Sequence, residues 1–223
     1  LDQGGDALVA KKGQLASLEE LKAKRGYKIA YTAGSASDHL LKAVSVHFDV
    51  PALRERKGDW RVSVGGSSEA LKKLQDGAVA AAVLWEPDVS KALADAKHVK
   101  LLGTENTKKL IVDVLLVNAE FAKKNGEAVK ALLSNYFRTL KHYRDNEPAL
   151  VEEVRETTKL KEDQVRSMLK GVRWMNLNEN GREWFGLGYS DRPGHEGLID
   201  TIESSTQILL DVGDFKDNPL PGR

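Results

Sequence analysis

The 223-residue chain has no cysteine. That excludes disulfides, thiolate catalysis and cysteine-based metal sites together, and it suits a compartment in which stray thiols would oxidise. An excess of one charge is missing too. Lys and Arg number 34 against 33 Asp and Glu, scattered along the chain, so there is none of the clustered positive charge that marks a nucleic-acid-binding surface. No apolar run is long enough to cross a bilayer. The five histidines, His39, His47, His98, His142 and His195, have no metal-ligand spacing and form no His-Glu-x-x-His pattern. A Gly-x-Ser-x-Gly nucleophile elbow is likewise absent, and catalysis has no good candidate. The chain begins at Leu1 with no charged-then-apolar signal segment, and so reads as a fragment or a processed product. What it does hold, 41% hydrophobic residues, is enough for one sizeable core or two small ones.

Residues 74–88 are the most informative stretch. A polar turn at Asp76-Gly77 feeds a wholly apolar run over 78–84, which ends abruptly in Trp85, Glu86 and Pro87. Such a run, bounded by turn residues, predicts a strand buried on both faces, as in a parallel α/β sheet. Ligands of open α/β sheets bind beyond the carboxyl ends of the strands, which places Trp85 and Glu86 where a ligand would be met.

The rest of the first half alternates in kind. Strands are predicted over 6–10, 27–31, 61–64, 78–84 and 99–102. Helices are predicted from Ser17, with Glu20 completing a capping box, from the Ser35/Ser37 region with Leu40, Leu41, Val44 and Phe48 on one side, from Ser67 with its own serine cap, and over 88–96. This alternation calls for a parallel sheet flanked by helices. A further apolar strand is expected over 111–118, interrupted by Asp113. From Glu120 onward the period is helical, with Val129, Leu132, Leu133, Tyr136, Phe137 and Leu140 on one face and later helices from Glu147, over 161–170 and over 198–212. Trp174, Trp184, Phe185 and Tyr189 read as packing residues. The tail has the composition of a linker.

Two loops join a strand to a helix through small residues. In Ala33-Gly-Ser-Ala-Ser-Asp38, free amides at a helix start favour an anion, and Ser35 and Ser37 could add hydroxyl donors. The same residues also make an ordinary N-cap. The spacing and lysine of a P-loop are missing, and Asp38 argues against a very highly charged ligand. Gly65-Gly-Ser-Ser68 reads as a tight turn and a cap. Trp85-Glu86-Pro87 could stack on or hydrogen-bond a ligand, or serve as a core tryptophan beside a helix start. Asp113 stands out in an apolar strand, because buried carboxylates need partners; it is read as a ligand contact or a hinge anchor.

These segments occur in a familiar order. Gly4-Gly-Asp-Ala-Leu-Val-Ala10, Ser17-Leu-Glu-Glu-Leu21, Lys28-Ile-Ala-Tyr-Thr-Ala-Gly-Ser35, Leu74-Gln-Asp-Gly-Ala-Val-Ala-Ala80, Trp85-Glu-Pro87 and Asp113-Val-Leu-Leu-Val117 together resemble the nitrate/sulfonate/taurine-type periplasmic substrate-binding proteins of ABC transporters. The resemblance runs from about Gly4 to Leu150. It implies an α/β fold, a type II periplasmic-binding-protein-like lobe with a parallel-rich sheet and flanking helices. A C-terminal helical segment would return to a first lobe whose initial sheet is not in this sequence. The implied division is 1–10 for a hinge or crossing strand, 11–113 for the second lobe, 114–216 for the helical part of the first lobe, and 217–223 for a linker-like tail. Carried over residue by residue, ligand contacts fall on Gly34, Ser35, Ala36 and Ser37 and on Trp85 and Glu86. Gly5 and Asp6 fall at the first hinge and Asp113 at the second. The implied ligand is a small anion: a sulfonate, nitrate, bicarbonate, phosphate or carboxylate.

The resemblance implies an extracytoplasmic, non-enzymatic role with no cofactor, an ABC permease as partner and no nucleic acid. The alternative function is a sensing or scaffold module tethered through the tail to a fused C-terminal envelope domain. The missing sheet would otherwise leave edges that invite a homodimer or a domain swap. The enzyme branch of the same fold, thiamine-pyrimidine synthase, uses a cysteine-rich motif that this chain lacks.

Overall fold

A computed structural model describes residues 1–55, 57–187 and 197–220. Its centre is a five-stranded sheet of order β3-β2-β4-β1-β5, made from β1 (Asp6–Lys11), β2 (Ile29–Tyr31), β3 (Arg61–Ser63), β4 (Ala81–Trp85) and β5 (His98–Gly103). β2 runs parallel to β3 and β4, while β1 is antiparallel to both β4 and β5. Four strands therefore share one direction and the first opposes them. The sheet is parallel-rich, as the resemblance implies, with β1 as its one antiparallel strand.

The central strands are buried on both faces, as their unbroken apolar runs require. Side chains alternate with period two. Leu8, Ala10, Ala81 and Val83 join one core with Ile29, Leu40, Leu41 and Val44; Ala7, Val9, Ala82 and Leu84 join the other with Leu71, Leu74 and Val89. The apolar side of α2 (Ala36–His47) covers the first core, and α3 (Ser67–Gln75) and α4 (Asp88–Leu93) cover the second. Strand β4 begins at Ala81, three residues later than expected, because 78–80 still belong to the turn around Gly77.

The serine cap of α1 (Leu18–Ala23) is present, with Ser17 Oγ accepting from the Glu20 amide at 3.1 Å; the Glu20 carboxylate reaches back one residue beyond the cap and accepts from the Ala16 amide at 3.0 Å, so the box is half formed. The serine cap expected for α3 does not form. Gly66 takes the N-cap position without a side-chain bond. The buried Ser67 hydroxyl instead accepts from the Trp85 amide (3.1 Å) and donates to the Trp85 carbonyl (3.3 Å). Pairing between β2 and β4 stops at Ala82, so the Trp85 backbone needs a partner on that side, and a buried polar group must find one.

The stretch 111–118 is a further correction. It has no regular secondary structure and pairs with no strand among the described residues, and Leu115 and Leu116 are 68% and 84% exposed. Asp113 is exposed there rather than buried in a strand. Helices α5 (Ala119–Lys124), α6 (Gly126–Asp145), α7 (Glu147–Thr158) and α8 (Glu162–Lys170) follow. The apolar face of α6 forms as expected, yet none of its residues is buried. α7 and α8 build a small core of their own from Val151, Leu160 and Val165. After α9 (Leu177–Glu179) and one π-helical turn, Asn180–Trp184, helix α10 (Leu198–Asp211) returns to pack on α2. Of the expected aromatic packing residues Trp184 is buried, Trp174 and Phe185 are exposed, and Tyr189 lies outside the described residues.

Candidate functional site

One edge of the sheet gathers nearly all the residues singled out in the sequence. The carboxyl ends of β2, β3, β4 and β5 point to it, and because β1 runs the other way its beginning lies there too. The register puts Asp6 opposite Trp85 and Ala7 opposite Gly103. The edge therefore carries the loop 32–37, Gly65-Gly66, Trp85-Glu86, Gly5-Asp6 and Thr104.

At the start of α2, Gly34 adopts φ +69° with open space where a Cβ would stand, the left-handed conformation that glycine adopts freely. Ser35 is the N-cap. Its Oγ accepts from the Ser37 amide at 3.1 Å and donates to the Thr32 carbonyl at 2.7 Å. Asp38 reaches back, accepting from the Gly34 amide (3.1 Å) and from Lys42 Nζ (2.9 Å), with the Arg61 guanidinium 3.8 Å away. Its negative charge is thus offset within the protein. Lys42 in turn reaches Asp214 at 2.7 Å. Burial disfavours the Lys42 charge, but the two carboxylates outweigh it and hold its proton more tightly than usual.

Two of the loop's amides are accordingly engaged. Those of Ser35, Ala36 and Asp38 meet no acceptor among the described residues. The hydroxyls of Thr32 and Ser37 are buried with no partner there, and Ser37 is 0% exposed. Buried polar groups are normally paired. Three free amides and two unsatisfied hydroxyls thus lie at the positive end of a 12-residue helix, where an oxyanion is favoured.

Trp85 is half-buried at the end of β4, its backbone fixed by Ser67. The Glu86 carboxylate accepts from the Ser90 amide (3.1 Å) and hydroxyl (2.8 Å), and its own amide donates to the Gly5 carbonyl at 2.9 Å. It therefore closes the start of α4, which has no other side-chain cap. Burial raises its carboxyl above the ordinary range, against the lowering effect of Ser90. Gly5 and Asp6 are buried, and burial together with the neighbouring Asp2 pushes the Asp6 carboxyl up to about 8. Asp113 faces the same region from the exposed stretch after β5.

Four residues at this edge carry structure that the sequence reading did not assign: Asp2, Thr32, Ser67 and Thr104. Asp2 had a local signal, since an aspartate two residues before a glycine is an Asx-turn pattern, and its Oδ1 does accept from the Gly4 amide. Beside the edge, a cavity of about 560 Å³ opens between α4, β5 and α8, lined by Glu86, Ser90, Lys100, Glu105, Gln164 and Ser167 among others. No group of three or more His, Asp or Glu among the described residues could hold a metal ion.

No family model and no curated protein matches the chain. Solved structures do. The periplasmic aliphatic sulphonate binding protein SsuA from Escherichia coli matches with a TM-score of 0.66 at 15% identity, covering 97% of this chain and 67% of its own. The alkanesulfonate-binding protein SsuA from Xanthomonas axonopodis pv. citri, bound to MOPS, matches with 0.64 at 14% identity, over 93% and 64%. The ligand binding component of an ABC-type import system from Staphylococcus aureus matches with 0.67 at 13% identity, over 96% and 66%. The chain thus spans about two thirds of the length of these structures, all of which are named as binding proteins. At such identities the likeness is one of fold, and it extends over nearly the whole chain: an α/β fold of the periplasmic-binding-protein type.

Proposed function

We propose that the chain forms the second lobe and the returning helical part of an extracytoplasmic solute-binding protein, which captures a small anion for uptake through an ABC permease. The observation that carries this reading is the start of α2: the free amides of Ser35, Ala36 and Asp38 and the unpartnered hydroxyls of Thr32 and Ser37. A sulfonate is the favoured ligand class, because three equivalent oxygens can use several such donors at once. Trp85 offers an apolar surface for the organic part of the ligand.

In this reading residues 11–113 are one lobe, 114–216 belong to the other, and 1–10 and Asp113 mark the crossings. Hydrogen bonds from the Asp2 amide to the Ile111 carbonyl (3.1 Å), from Gln3 to Gly171 (2.7 Å) and from Arg173 to Leu1 (2.8 Å) draw the crossing segments together. The exposed apolar run 114–117 and the open face of α6 suit a seam for a sheet of the first lobe. Closure of two lobes around the anion would give the permease a shape to read.

Thermal melts against a panel of methanesulfonate, taurine, nitrate, bicarbonate, phosphate and acetate test the proposal. A ligand that binds only the native state adds about 2.7 kcal/mol at a hundred times its Kd, so at least one anion should raise the melting temperature. A flat response to all of them contradicts the reading.

A further inference from the structure

Two carboxyl groups meet in the segment that leads into β1. Asp2 and Asp6 are 8% and 9% exposed, and their side chains lie within hydrogen-bond reach of each other. One oxygen of Asp2, Oδ1, accepts from the amides of Gly4 (3.1 Å) and Gly5 (2.6 Å). The other, Oδ2, is buried with no partner among the described residues, and so is Oδ1 of Asp6. Two ionised carboxylates in such contact repel strongly, since water is not there to screen them.

The surrounding charges make double ionisation worse. Asp113, from the stretch after β5, and Glu86, from the end of β4, both face Asp6 and both are acidic. Lys100 pairs with Glu105 and Arg173 pairs with Glu183; the Leu1 amine donates to the Arg173 carbonyl and is the basic group that also acts on Asp2 and Asp113, from a half-buried position that itself disfavours its charge. One proton shared by Asp2 and Asp6 removes a charge and puts a donor into a pair that otherwise holds only acceptors.

The same segment ties the sheet to the C-terminal helices. Besides its bonds to Ile111, Gly171 and Arg173, it holds Gly4 N–H against Thr104 Oγ1 (2.8 Å), whose hydroxyl donates to the Asp6 carbonyl (3.2 Å). Gly171 packs so closely that a Cβ on it would stand 2.9 Å from the Gly5 nitrogen. A pair of anions at this junction must separate, and the segment has no slack in which to do so. We propose that Asp2 and Asp6 share a single proton at neutral pH, and that this proton latches residues 1–5 to the sheet and to residues 171–173.

The sign follows from which state holds the proton. The Asp6 carboxyl is raised by burial and by Asp2, from an ordinary 3.8 to about 8. A raised acid contributes fully at low pH, where both states are protonated. Its contribution declines once the unfolded chain ionises and is gone above the folded value. Between those limits the folded-to-unfolded ratio falls about tenfold per pH unit from this group. The proton belongs to the pair, so the midpoint is a property of both residues.

Carbon-13 carboxyl NMR titrations of the wild type, Asp6→Asn and Asp2→Asn test the latch, together with amide protection at Gln3 and Glu86 corrected for the base-catalysed exchange rate. One aspartate resonance should hold its proton past neutrality in the wild type and vanish in Asp6→Asn. In Asp2→Asn its midpoint should fall by at least about one unit, a tenfold change in acidity, as the like charge is removed. Protection at Gln3 and Glu86 should drop as the wild type passes through the midpoint and stay level in Asp6→Asn. The proposal is overturned if every aspartate titrates in the ordinary acid range, if the midpoint is unmoved in Asp2→Asn, or if wild-type protection ignores pH. Should Asp6→Asn fail to fold, the wild-type titration and Asp2→Asn decide the matter alone.

Discussion

Ser35 and Ser37 stand two residues apart and should respond in opposite ways to removal. Ser35 is the N-cap of α2, so Ser35→Ala should cost about 1 kcal/mol in a urea melt. The Ser37 hydroxyl has no hydrogen-bond partner among the described residues, so Ser37→Ala should leave stability within about 0.5 kcal/mol while removing a potential donor to the anion. The hydroxyl types were legible in the sequence. Their division of labour was not, because it depends on which way the backbone turns after Gly34. Ser67 makes the same point more strongly. Its place after two glycines reads as a cap, yet it serves the Trp85 backbone, 18 residues away in sequence, and local pattern carries no trace of that long-range need. Ser67→Ala should leave a buried amide and carbonyl without partners, at a cost of about 1–3 kcal/mol, read as a lower midpoint in the same melt. A loss below the scatter of surface substitutions would show that water or a shifted backbone replaces the hydroxyl.

Elements differ from one another in whether their burial is complete. Leu8 in β1 is 0% exposed and packed in the first core, so Leu8→Ala should cost about 2–5 kcal/mol. Leu115, at 68% exposure, is as apolar and sits in an equally apolar run, but Leu115→Ala should cost under about 0.5 kcal/mol. Chemical denaturation of the two variants side by side checks the contrast; equal losses would mean that 111–118 is packed in solution. The sequence predicted a strand at both places because apolar run and β-propensity are local properties. A strand also needs a neighbour, and 111–118 has none among the described residues. The face of α6 was legible for the same reason and left uncovered for the same reason. β4 needed nothing more than its own sequence to be recognised, because a run buried on both faces has no polar side to obscure its character.

At the scale of the whole molecule, order carried more than any single motif. A capping box, a glycine-serine loop and a Trp-Glu-Pro turn are each common, but their succession pointed to the fold that the solved structures share at 13–15% identity. The direction of β1 did not come through, since alternation of strand and helix favours parallel neighbours and β1 instead inserts antiparallel between β4 and β5. Nor did the role of Glu86, whose carboxylate closes α4 through Ser90. What the structure adds is a reason to propose an anion: three free amides and two orphaned hydroxyls lie on the segment 32–38 that joins β2 to α2. Calorimetric titration of methanesulfonate into the wild type and Ser37→Ala tests that claim most directly. The account predicts binding to the wild type and about tenfold weaker binding to the variant, the loss of roughly one charge-assisted hydrogen bond, at an unchanged unfolding midpoint. Equal affinity in the two proteins, or no heat from either, would contradict it.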